Sequence, residues 1–270
     1  MTGHAQSGLR PATGGTAPSE QVELDEADLN AGLADLASLV SGSLALDELL
    51  GRVASSAGLA IPGANGAGVT LLRVNQGVNI VQSLGASAMF VSEIDAIQYE
   101  VVDEGPCISA ALEGRAVWSG SLGGDARWPR FGSRAGRLGV HSALSLPLML
   151  PDDTVVGALN AYARAKDAFD EHAAQLGLLF AAPAAVAVHN AQVLAQAQTR
   201  AAQLQAALGS RAVIDQAIGI LRSRSGGSAD EAFARLREIS QGENVKLSAV
   251  AQHIVEEAVR RAQARHTKSE

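Results

Sequence analysis

From Asp170 to about Arg224 the sequence keeps a helical period, and its apolar face changes identity partway along. Leu194, Ala197, Ala201, Leu204 and Leu208 step by three and four alternately, a heptad seam that a second helix can share. Past Gly209 the face moves to Ile214, Ala217, Ile218 and Leu221, which need a different neighbour. Asp170 and Glu171 suit the start of this helix through its dipole. Pro183 is expected to kink it or to start a new turn. An element of this kind divides the chain into a body before it and a smaller body after it.

The smaller body is written plainly. Gly226-Gly227 breaks the long helix, and Ser228-Ala229-Asp230-Glu231 is a capping box in which the serine oxygen accepts the Glu231 N–H and the glutamate reaches back to the serine N–H. Ala229, Ala232, Phe233, Leu236 and Ile239 form the apolar face of a second helix, which Gln241-Gly242-Glu243-Asn244 ends. Leu247, Val250, Ala251, Ile254, Val255 and Ala258 form the face of a third. Three amphipathic helices with short links must bury their stripes against each other. From Arg200 onward eleven Lys/Arg stand against eight Asp/Glu, whereas residues 1–199 hold ten against twenty. An acidic body with a mildly basic tail permits a nucleic-acid contact at the tail. With only 3% aromatics, a platform of base-stacking rings is disfavoured.

Residues 210–262 resemble an ANTAR domain, the RNA-binding antitermination module of bacterial regulators. The likeness rests on Ala217 and Gly219-Ile220-Leu221, on Ala232-Phe233 with Leu236-Arg237 and Ser240, and on Asn244, Lys246-Leu247 and Val250-Ala251. It implies a homodimer that binds paired RNA stem-loops with hexanucleotide loops. Loops make physical sense as targets, because the A-form major groove is too narrow for side chains while unstacked loop bases expose their edges. Arg and Lys pair with phosphates or bond bidentately to guanine. The candidate RNA contacts are Arg211, Arg222, Arg237, Ser240, Asn244 and Lys246. Ser240 also suits the end of the second helix, and Asn244 the start of the third. Many family members carry Lys where this chain has Ile218, and Met where it has Arg222. Arg222 returns a charge to the same helix face one turn later.

Upstream, residues 1–24 are rich in Gly, Ala, Pro, Ser and Thr at their start and are expected to be a disordered tail, as are residues 263–270. Two helical patterns follow, with Leu29, Leu33, Leu36 and Val40 in the first and Leu46, Leu49, Leu50 and Val53 in the second. Ala67–Val74 and Val78–Ser83 read as an antiparallel strand pair about a turn at Asn75-Gln76-Gly77. Ser87–Tyr99 reads as helical, and Pro106 and Gly114 bracket another short helix. Val117-Trp118-Ser119 is a short strand, and Asp125-Ala126-Arg127-Trp128-Pro129 opens a further short helix. Ser142–Leu150 and Thr154–Ala163 are apolar on nearly every residue, so they form a central strand pair covered on both faces. The fold class is α+β, an antiparallel sheet with flanking helices.

Residues 25–195 resemble a GAF domain of the type found in actinobacterial regulators. The run GPCISAALEGRAVW at 105–118, DARWPRF at 125–131, GVHSALSLPL at 139–148 and VVGALNAY at 155–162 carry the likeness. It implies a sensor domain with a pocket for a small-molecule ligand whose identity is unknown, joined through a helical coiled-coil linker at 196–209 to the all-α three-helix ANTAR bundle. Cys107 and His141 are the ligand-pocket or redox candidates. Cys107 stands where a bilin thioether or a redox thiol could form, and equally where a small buried hydrophobe would serve. His141 could ligate a haem iron or be a hydrogen-bonded structural histidine. The Asn-Lys-Phe-Asp-Glu signature of cyclic-nucleotide binders is missing.

Some GAF relatives reduce free methionine sulfoxide, but that chemistry needs an attacking and a resolving thiol, and Cys107 is the only cysteine. No Walker loop, HExxH or GxSxG is present, so no enzyme is expected. The lone cysteine also excludes an intrachain disulfide and fits a reducing cytoplasm. The longest apolar run, Leu176–Val188, is 13 residues and too short for a membrane span. The resulting expectation is a cytoplasmic, signal-responsive RNA-binding antiterminator that works on nascent RNA and therefore near RNA polymerase. The alternative is a protein-interaction regulator whose ANTAR-like bundle has lost RNA binding.

Overall fold

The computed structural model describes residues 18–40, 44–75 and 78–266. They form two compact units, one through Ala195 and one from Gln196. The tail expected at residues 1–24 lies outside the described residues up to 17. Residues 18–24 depart from that expectation, because helix α1 runs over Pro18–Val40. Pro18 suits a first helical turn, where no N–H is needed, and Glu20 faces the positive end of the dipole. Residues 263–266 of the expected C-terminal tail also depart from expectation, because the last helix runs to His266, while residues 267–270, and Gln76 and Gly77 of the expected turn, lie outside the described residues.

In the first unit α1 is followed by α2 (Leu46–Ala60) and strands β1 (Gly66–Asn75) and β2 (Val78–Ala86). Then come α3 (Met89–Ala96), a π-helical turn (Ile97–Val102), α4 (Pro106–Glu113), β3 (Val117–Ser119), α5 (Pro129–Arg137), β4 (Ser142–Met149) and β5 (Val155–Ala163). The five strands form one sheet in the order β2-β1-β5-β4-β3, with antiparallel pairing at every step. Both β4 and β5 are buried along nearly their whole length, as their unbroken apolar sequences require.

Alternation along the strands gives the sheet two unlike faces. Ala67, Val69, Leu71, Leu144, Leu146, Leu148, Leu159 and Ala161 point into a large aliphatic core with Leu36, Leu50, Val53 and Phe180. The opposite face carries Val117, Ala143 and Tyr162 against Val91, Ile94, Ala110 and Phe131. On that second face the register sets Gly68 beside Asn160, Asn160 beside Ser145, and Ser145 beside Val117, so small and polar residues form a row across three strands that ends on an apolar residue in the fourth.

Helix α6 spans Glu171–Ser225 with Pro183 inside it, so the helix continues where a new turn was one expectation. By length and composition it is apolar enough to cross a membrane, which corrects the expectation that no segment reaches that threshold. The alanines flanking Leu176–Val188 widen the apolar window. In the first unit its apolar residues are spent on the protein's own core, where Phe180, Ala181, Ala184, Ala185 and Val188 are buried. The heptad leucines are exposed within the chain, with Leu194 at 57%, Leu204 at 66% and Leu208 at 69%.

In the second unit the end of α6 packs with α7 (Ala229–Glu243) and α8 (Leu247–His266). Ala217, Leu236, Val250 and Ala251 are buried at the centre, ringed by Val213, Ile214, Ile218, Leu221, Ile239, Leu247, Ile254 and Val255. The capping box forms as the sequence requires: Glu231 N donates to Ser228 Oγ at 3.2 Å, and Ser228 N donates to Glu231 Oε2 at 2.8 Å. Ser228→Ala is expected to destabilise the bundle by about 1 kcal/mol, read as a lower urea midpoint of the helical signal. An unchanged midpoint would show that water replaces the lost Oγ bond at no cost.

Candidate functional site

The polar face of the sheet in the first unit holds a buried chain of hydrogen bonds. Ser145 Oγ donates to Asn160 Oδ1 at 2.9 Å, and Asn160 Nδ2 donates to Asp95 Oδ1 at 3.3 Å. Tyr162 Oη donates to the same carboxylate oxygen at 2.6 Å, and Gln98 Nε2 donates to Tyr162 Oη at 2.9 Å. The Gln98 oxygen accepts the Cys107 N–H at 3.0 Å. Cys107 Sγ meets Tyr99 Oη, which also donates to Thr70 Oγ1 at 2.9 Å. Thr70, Asp95, Gln98, Cys107, Ser145, Asn160 and Tyr162 are all buried. A buried polar group without a partner costs roughly 1–3 kcal/mol, so a chain satisfied link by link is a specific arrangement of this face.

Local structure brings these groups together. Asp95 is on α3, while Gln98 and Tyr99 are on the π-helical turn, whose wider winding follows directly on α3. Glu104 then accepts the N–H groups of Arg130 and Phe131 at the start of α5; desolvation is the largest single effect on its carboxylate and raises it, but the Phe131 N–H and the contacts of Arg130 together outweigh this and hold it below the usual range. Two glycines make room. A β-carbon on Gly68 would collide with Asp95 Oδ2, and one on Gly105 would collide with Gln98 Oε1. Gly105 also has φ +156, a backbone conformation that side chains disfavour.

Burial dominates the electrostatics. Desolvation raises the Asp95 carboxyl to about 7, partly offset by the bonds from Tyr162 and Asn160. Desolvation and the Asp95 charge push the Cys107 thiol up to about 12. At neutral pH Cys107 is therefore a protonated thiol, and the nucleophilic thiolate is not populated. His141 precedes β4, is partly exposed, and is fixed through its backbone, its N–H on Ala163 O at 2.9 Å and its carbonyl accepting Leu122 N–H at 2.8 Å. The structure thus places Cys107 in the buried chain and leaves the His141 side chain outside it. The other members of the chain are missed by sequence reading. Their one signal is polarity out of place: Asn160 inside the apolar strand VVGALNAY, and Asp95 beside Val91 and Ile94 on the buried side of a helix.

In the second unit Arg211, Arg237 and Lys246 are exposed, and their side chains make no hydrogen bond or ion pair among the described residues. Arg237, Ser240 and Asn244 follow at steps of three and four along α7 and its cap, which sets them on one face, with Lys246 two residues on. Arg222 is drawn to the α6–α7 turn, where its Nε donates to Gly227 O at 3.4 Å. Ser240 Oγ donates to Val245 O at 2.6 Å, and Val245 N returns a bond to Ser240 O at 3.0 Å. Its hydroxyl proton is therefore committed to the turn. Asn244 sits in the left-handed conformation at φ 53 and caps α7, the helix before it. Ile218 is partly buried on the bundle core.

A GAF domain family model matches residues 43–189, and an ANTAR domain model matches residues 202–255. No curated protein matches the chain. Among solved structures it is similar to the GAF domain from an Acinetobacter phosphoenolpyruvate-protein phosphotransferase, at 12% identity over 64% of this chain and 98% of that one, with a TM-score of 0.44. It is also similar to free methionine-R-sulfoxide reductase from Neisseria meningitidis in complex with its substrate, at 16% identity over 66% of this chain and 96% of that one, with a TM-score of 0.46.

Proposed function

The chain belongs to the GAF domain family and carries an ANTAR domain behind it, and on that premise we propose that it is a signal-responsive, RNA-binding transcription antiterminator. Both are regulatory domains, and the protonated, buried state of Cys107 supports a sensor rather than a reductase. The first unit receives a small-molecule signal. Two copies of the chain pair along the exposed seam of Leu194, Leu204 and Leu208. The two ANTAR bundles then hold paired hexaloop stem-loops in nascent RNA, in the cytoplasm and close to RNA polymerase, in place of a terminator.

The observation that carries this reading is the set of exposed cations without protein partners, Arg211, Arg237 and Lys246, on a bundle matched by the ANTAR model. Such side chains are available to phosphates, whereas Ser240 and Asn244 act first as supports of the turn that presents Lys246. The test is binding of the full chain to a tandem-hexaloop RNA across a salt series. Affinity is expected to fall as salt rises, and Lys246→Ala or Arg237→Ala should weaken binding and lower the log–log salt slope by about 0.7–0.9 for each phosphate left without its cation. Ile218 favours a second reading, a protein-interaction regulator, because an aliphatic side chain packed on the core stands where family members place a lysine. Absence of binding to any such RNA would select that reading.

A further inference from the structure

We propose that a concavity between the end of α7 and the first turns of α8 receives one extruded base of the RNA loop, a guanine, with Glu243 reading its Watson–Crick edge. This rests on the RNA-binding reading above. The concavity has a volume of about 460 Å³ and is lined by Ile239, Val245, Ala249 and Ile254, with Glu243 and His253 among its walls. Apolar walls suit the flat face of a base, and unstacked loop bases are the part of RNA that proteins read by sequence. Val245 is 40% exposed, yet the two bonds with Ser240 hold it in place. The wall is thus built in advance.

Glu243 supplies the selectivity. It is the last residue of α7, where the helix dipole disfavours an acid, and no basic residue lies in that last turn. Its position therefore does not serve the helix. A carboxylate is an acceptor only. Guanine offers it two adjacent donors, N1–H and the N2 amino group. Adenine and cytosine offer one amino group beside a ring nitrogen that repels the second oxygen, and uracil offers one N–H between two carbonyls. Lys246, one residue beyond the Val245 wall, is placed to meet the phosphate of the same nucleotide and to offset the Glu243 charge.

The test uses the full chain and tandem-hexaloop RNAs carrying guanine at each loop position in turn, each compared with the same RNA bearing inosine there. Inosine lacks only the N2 amino group. At one position the wild type should bind the guanine loop roughly tenfold more tightly than the inosine loop. Glu243→Gln should bring that ratio close to one, with the salt slope unchanged because every cation that meets a phosphate is still present. Ala249→Phe, which fills the concavity without altering charge, should do the same. RNA binding with no guanine–inosine difference at any position, or a ratio that survives both variants, overturns the pocket and leaves the antiterminator reading standing. A wild type that binds none of the RNAs overturns both.

Discussion

Asp95→Asn is expected to flatten the pH dependence of folding stability between pH 3.8 and about 7, the interval separating the ordinary Asp95 carboxyl from the buried one. The sign follows from proton linkage. Below this interval the carboxyl is protonated whether the chain is folded or not, and Asp95 adds no pH dependence. Within it the unfolded chain releases the proton while the folded chain, with the carboxyl out of water, retains it. Each step up in pH then favours unfolding, by at most about 1.4 kcal/mol per pH unit for one group. Above about 7 the folded form ionises too and the loss levels off. The neighbours do not share the titration, since Cys107, Tyr99 and Tyr162 are all shifted upward and stay neutral across the window. Asn keeps the shape and an oxygen that can accept from Tyr162 and Asn160. The variant should therefore gain a few kcal/mol on the wild type at pH 8 relative to pH 4, measured by urea unfolding at a series of pH values. Parallel stability curves for the two proteins would place the titrating carboxyl elsewhere.

The same buried chain marks the limit of what the sequence makes legible. β4 and β5 are plain because apolar residues on both parities leave only a strand buried on both faces. The Ser228 capping box and the shift of the α6 face to Ile214, Ala217, Ile218 and Leu221 are equally plain, because both rest on spacings of three and four residues. The meeting of Asp95 with Asn160 and Tyr162 spans more than sixty residues of chain. It depends on sheet register and on a π-helical turn that has no composition of its own. Cys107 is singled out by being alone, but its state follows from groups that only the fold brings to it. In the second unit Arg237 and Lys246 are exposed as their chemistry suggests. The commitment of the Ser240 hydroxyl to Val245 is a local bond that a serine near a helix end can make, and sequence alone offers it only as one of two roles.

Leu236→Ala is expected to unfold the second unit and abolish RNA binding while the first unit remains folded. Leu236 is fully buried, and the residues buried with it, Ala217, Val250 and Ala251, are all smaller. Removing its side chain deletes the largest apolar group at the centre of three helices that have few neighbouring atoms to close the gap. Such a substitution costs about 2–5 kcal/mol, and a domain of some tens of residues has little more than that to lose. The first unit has a far larger core of its own. The chain also carries a built-in reporter, because both tryptophans, Trp118 and Trp128, lie in the first unit. Tryptophan fluorescence should therefore show an unchanged thermal transition while circular dichroism shows helix melting at lower temperature. Leu236→Met, which nearly conserves volume, should restore both helix and binding. This separates collapse of the bundle from removal of a single exposed cation, since Lys246→Ala should weaken RNA binding with its dichroism unaltered. A Leu236→Ala protein that kept its full helical signal would show that the three helices are held by something other than their shared core.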